Sequence, residues 1–121
     1  MDEDNMPRKV TIAEFENDLE GLQGVITYYA RNNELEMLFD VSYPRQREIL
    51  EEVKPALEKI DMYEPVSEAI RISENLAREG KFEEASDVVL EINRALMKAS
   101  GTWDKIVKHF RRKEDKGDAS A

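Results

Sequence analysis

The sequence predicts an all-α fold: an antiparallel helical bundle of four main helices plus one short helix, with up-and-down connections. Three observations carry that prediction. Apolar residues recur at spacings of three and four along most of the chain, which marks one face of an α-helix. The periodic stretches begin and end at residues with helix-boundary chemistry, notably Thr11, Gly80 and Gly101. Strand signals are almost absent, with no sustained alternation and no Asn-Gly or Asp-Gly turn.

Residues 1–10 are polar, charged and interrupted by Pro7, and read as a disordered lead-in. Thr11-Ile-Ala-Glu14 then matches a capping box, in which Thr11 and Glu14 satisfy each other's amide groups. Ile12, Phe15, Leu19, Leu22, Ile26 and Tyr29 follow as one stripe on a helix that runs to about Arg31. Gly21 and Gly24 lie inside it, each costing roughly 1 kcal/mol relative to alanine. The stripe keeps its phase across both, so the helix is expected to be unbroken. Asn32-Asn33 is the stop, and residues 34–41 suggest a short helix in which Leu35, Leu38 and Phe39 cover one end of the core.

Ser42-Tyr43-Pro44 reads as a new helix start, since proline is tolerated in a first turn. Leu50, Val53, Leu57 and Ile60 form its stripe, and Pro55 predicts a kink near residues 51–54. A third helix carries Val66, Ala69, Ile70, Ser73, Leu76 and Ala77, and ends with Gly80 in the C′ position. The fourth holds Ala85, Val89, Ile92, Leu96 and Ala99, and stops at Gly101. Thr102 is suited to N-cap a last helix, with Trp103, Ile106, Val107 and Phe110 directed inward. The expected organisation is a single helical domain over residues 11–113 and a disordered tail over 114–121.

Leu76-Ala-Arg-Glu-Gly80-Lys-Phe82-Glu-Glu-Ala85 resembles the inter-helix turn of a tetratricopeptide repeat. The likeness covers about ten residues and does not recur, whereas a repeat array needs about three copies. It predicts a well-made helical hairpin and no family.

Composition sets the class of chain. Apolar residues make up 40% and charged residues 37%, enough for a modest core under a charged surface. Cysteine is absent, which removes thiol catalysis, cysteine metal sites and disulfides. No apolar run approaches the roughly 18 residues needed to cross a bilayer. The acidic start, Met1-Asp2-Glu3-Asp4-Asn5, is unlike a secretory signal, so a cytoplasmic location is expected. The net charge of −9 is unevenly distributed. Residues 103–121 hold six Lys/Arg against four Asp/Glu, and residues 1–102 hold twelve against twenty-three. An acidic body repels phosphate backbones, so the only basic surface is at the C-terminal end.

Few residues point to chemistry. His109 is the single histidine, and Ile106 occupies the position three before it, so there is no Glu-x-x-His metal pair. It reads as a surface histidine in a basic run. Glu14, Glu16, Asp18, Glu20, Glu51, Glu52, Glu83 and Glu84 fall mostly between apolar positions, and read as solvated helix faces. No EF-hand, Walker A, Gly-x-Ser-x-Gly or dinucleotide motif occurs. No catalytic residue, metal ligand or cofactor is therefore assigned.

The last helix carries the expectation of partner binding, through Trp103, Lys105, Lys108, Phe110, Arg111 and Arg112. Its apolar face and basic flanks suit an acidic protein surface, a membrane surface or nucleic acid. They equally suit docking on the acidic body, with basic residues near the negative helix terminus. Tyr28, Met37, Tyr43, Met62, Tyr63, Leu90 and Met97 lie off the stripes. Either some form an exposed patch, or the short helix at 34–41 covers them. The expected function is a non-enzymatic protein–protein interaction module: an adaptor, regulator or small assembly subunit, acting on a protein partner or by self-association as a homodimer. The alternatives are nucleic-acid binding by the basic helix, an acidic mimic of DNA, and an enzyme with an inter-helix pocket. No small-molecule substrate is evident.

Overall fold

The computed structural model describes residues 10–120, with side chains through residue 111. The expected lead-in therefore lies outside the described residues except for Val10, which is not helical. The chain is an all-α bundle without a strand among the described residues. Its first helix, α1 (Ile12–Arg31), opens on the capping box as read. Thr11 Oγ1 accepts from the Glu14 amide at 3.1 Å, and Glu14 Oε1 accepts from the Thr11 amide at 3.3 Å.

α1 is continuous through Gly21 and Gly24, and a Cβ built at either would meet nothing within 4 Å. No close backbone approach demands them. Replacing both with alanine is expected to raise unfolding free energy by about 1–2 kcal/mol in total. A denaturant titration with an unchanged m-value checks this; a loss of stability would contradict it. The helix ends with Asn32 Nδ2 donating to the Tyr28 carbonyl at 2.8 Å and Asn33 at φ 57°.

The separate short helix expected at 34–41 is not present as such. Helical backbone begins at Leu35 and passes through a π-helical segment, Met37–Ser42, straight into α2 (Tyr43–Lys59). Pro44 supplies the physical reason. Its ring would clash with the carbonyl four residues back, and it has no N–H for that carbonyl. The wider π turn accommodates it: Tyr43 N–H reaches back five residues to the Leu38 carbonyl. Ser42 Oγ spans the same interval to the Met37 carbonyl at 3.1 Å. α2 then continues without interruption through Pro55.

α3 (Tyr63–Arg78) and α4 (Phe82–Ser100) form the expected hairpin. Gly80, at φ 82°, donates to the Ala77 carbonyl at 3.0 Å, and Lys81 donates to Leu76 at 2.9 Å. That pair of bonds is a Schellman closure, and its left-handed residue favours glycine. The four helices form a ring in which α1 meets α2, α2 meets α3, α3 meets α4, and α4 closes on α1. Phe15, Leu19, Ile26, Leu57, Val89 and Leu96 are fully buried at its centre.

One polar chain crosses that core. Ser73 Oγ donates to the Ala85 carbonyl at 2.8 Å, which uses its only proton. Tyr43 must then donate to Ser73 Oγ, also at 2.8 Å, linking α2, α3 and α4. Burial, helped by the Glu74 carboxylate, raises the Tyr43 phenol to about 12. A phenol raised above its ordinary value of 10 in the folded state favours the folded, protonated form below pH 10. That preference disappears as pH rises from 10 to 12. Alkaline titration should show Tyr43 ionising late and stability falling by roughly 2–3 kcal/mol across this window. Constant stability from pH 10 to 12 would contradict the assignment.

α5 (Thr102–Ser120) follows after the single residue Gly101, at φ 88°. The expected tail at 114–121 falls where side chains lie outside the described residues; the backbone to Ser120 continues α5. No helix of the described residues is long and apolar enough to cross a membrane.

Candidate functional site

The site is the α4–α5 junction and the face of α5 that it orients. Thr102 was expected to cap the last helix; it does something different. It lies within the first turn of α5, and its hydroxyl donates to Glu16 Oε1 at 2.9 Å. Ser100, the last residue of α4, donates to Glu16 Oε2 at 2.7 Å. The Glu16 backbone carbonyl accepts from Asn93 Nδ2 at 3.1 Å. Glu16 therefore joins α1 to both helices that flank Gly101. Its residue is only 2% exposed, so the sequence expectation of a solvated carboxylate fails at this position.

Its burial is accounted for by this latch. A carboxylate withdrawn from water needs hydrogen bonds on both oxygens, and the two hydroxyls supply them. It also stands beside the N-terminus of α5, where a negative charge is favourable. Two hydroxyls donating to the two oxygens of one carboxylate make a structural clasp between α1 and the α4–α5 junction.

Beyond this clasp α5 leaves the body. Its principal packing is with α4. Lys98 Nζ lies 5.2 Å from the Trp103 ring centroid, which pins the half-buried indole to the end of α4. The expectation that the whole apolar face points inward fails beyond Trp103. Val107 is half-buried, but Ile106 is 36% exposed and Phe110 59% exposed. The reason is topological: α1 and α4 close the four-helix ring, which places α5 outside it.

Lys105 and Arg111 are exposed to either side of that face and Lys108 on the opposite side of the helix, with no ion pair among the described residues. His109 is exposed and makes an edge contact with the Phe110 ring. Arg112, also expected at the site, has its side chain outside the described residues. The structure thus places Trp103, Lys105, Lys108, Phe110 and Arg111 on one projecting element.

The off-stripe residues divide between the two readings. Tyr43 is fully buried, and Met62, Tyr63, Leu90 and Met97 are half-buried. Tyr28 and Met37 are exposed, as are Leu35 and Val41. A second buried carboxylate, Glu74, is bridged by Arg47 and by Arg78 at 2.8 Å, and Arg78 covers the Phe39 ring. That cluster ties α2 to α3 and is satisfied internally. Among the described residues no group of three His, Asp or Glu side chains is arranged to hold a metal ion.

Compared with known protein families, curated proteins and solved structures, the chain matches none, so the reading rests on its own residues.

Proposed function

We propose that this protein is a non-enzymatic helical interaction module whose bundle serves to present α5 to a protein partner. The observation that carries the reading is Phe110, a large aromatic left 59% exposed beside exposed Ile106 on a helix anchored at one end. Exposed aromatics rimmed by polar groups mark recognition surfaces. Helix-in-groove binding uses anchors spaced as Ile106 and Phe110 are, four residues apart. Lys105 and Arg111, one to each side, would steer that face toward an acidic protein surface.

A photo-reactive phenylalanine analogue placed at position 110 tests this in the producing cell. Discrete adducts that survive nuclease and are destroyed by protease are expected. Their absence, or nuclease-sensitive adducts, would overturn the reading, and the latter would favour the basic helix as a nucleic-acid binder.

A further inference from the structure

The bundle also carries a receiving surface. Between α1 and α2 runs an open groove made of two adjoining hollows of about 550 and 220 Å³, which share Asn17, Asp18, Arg45 and Ile49. Its apolar floor includes Leu22, Val25 and Ile49, and among the described residues its rim carries Glu14, Asp18, Glu48 and Glu52 with Arg45 as the one cation. Asp18, Glu48 and Glu52 form no ion pair among the described residues. The groove is thus acidic toward the start of α1 and apolar where Leu22, Val25 and Ile49 meet. α5 presents the apolar ridge of Ile106 and Phe110 with one cation to either side, Lys105 and Arg111, each about 120° around the helix.

The α5 of the same copy cannot reach it. Glu16, clasped to Ser100 and Thr102, and Asp18, on the groove, are two residues apart, so they point about 160° apart around the α1 axis. α1, with side chains about 10 Å across, stands between them, whereas the one-residue link at Gly101 spans at most about 3.6 Å. The length fits an outside helix. From Glu14 to Val25 the groove extends about 16 Å, room for the roughly 9 Å from Lys105 to Arg111.

Resting on the reading above, we propose that the occupant is a second copy of this chain: α5 of each protomer lies in the α1–α2 groove of the other. The pairing is reciprocal for a physical reason. One two-turn helix in a groove falls short of the roughly 1,200 Å² that a specific interface needs, while two such contacts double the area. Exchange in both directions also closes the assembly as a two-fold dimer, where one-way contacts would grow into open chains. Ile106 and Phe110 cover the apolar floor, and the long side chains of Lys105 and Arg111, one to each side of that ridge, meet the rim carboxylates.

Charge exchange between the two surfaces tests this pairing directly. Light scattering on the full chain up to about 0.1 mM, above a Kd in the 10 µM range, should show a dimer in place of the 14.0 kDa monomer. Lys105→Glu/Arg111→Glu and Glu48→Lys/Glu52→Lys should each be monomeric with unchanged helical content, since all four positions are exposed. Mixed, the two variants should recover the dimer, because the reversed helix of one fits the reversed groove of the other. A monomeric wild type, dimeric single variants or a mixture that stays monomeric overturns the exchange. Those results leave the interaction reading itself standing if position 110 still yields protein adducts; absence of adducts defeats both.

Discussion

Truncating two phenylalanines to alanine should give opposite results. Phe15→Ala is expected to cost about 3–5 kcal/mol of folding free energy, because a fully buried ring leaves a cavity that rigid neighbours on α1 and α4 cannot fill. For a domain of this size that lowers the melting temperature by roughly 15 °C or more. Phe110→Ala should change monomer stability by no more than about 0.5 kcal/mol, as expected for a surface position that packs on nothing essential. The comparison belongs at low protein concentration, where association adds nothing to apparent stability. At high concentration Phe110→Ala should abolish dimer formation while Phe15→Ala should not act on it except by unfolding. A loss above about 2 kcal/mol in dilute Phe110→Ala would mean that α5 is part of the core.

The second large effect concerns Glu16. Glu16→Ala removes the acceptor of two charge-assisted hydrogen bonds, from Ser100 and Thr102, and the favourable charge at the start of α5. A global loss of about 2 kcal/mol is expected, since relief from burying the carboxylate offsets part of the gross value. The local effect is more specific. Amide exchange over residues 102–107 should accelerate at least about tenfold, while Leu19, Leu57 and Val89 exchange in step with global unfolding. Glu16→Gln, which keeps the shape and one acceptor, should lie between the two. Unchanged exchange at the start of α5 would show that Glu16 does not hold the junction.

Which parts could be read from the chain follows from how local their causes are. The capping box at Thr11, the stripe of α1 and the Gly80 closure depend on residues within a few positions of one another, and all three occur as expected. The π segment was missed because Pro44 admits two local solutions. A new helix could start there, or a continuing helix could widen by one residue, and only burial of Leu38 and Tyr43 in the same core favours continuity. Glu16 was missed for a different reason. Its partners lie 84 and 86 positions away, and in sequence it is one of several carboxylates on an amphipathic helix. A signal did exist: Glu16 follows Phe15 directly and, at helical spacing, sits one turn before Leu19. That places it at the edge of the apolar stripe, where a carboxylate requires a partner.

The orientation of α5 was the least legible. Trp103, Ile106, Val107 and Phe110 have the periodicity of a docked helix, and periodicity cannot tell a helix that fills a seam from one that presents a ridge. The decision lies with α1 and α4, whose contact closes the ring and leaves α5 outside it. Ile106 and Phe110, read as core at this end, are exposed instead.

Solvent paramagnetic relaxation measured on the dilute monomer tests that claim most directly. A soluble paramagnetic probe should broaden the Ile106 methyl and Phe110 ring signals strongly and leave those of fully buried Leu96 and Ile26 sharp. Protection of Ile106 and Phe110 equal to that of Leu96 would contradict an α5 presented to partners.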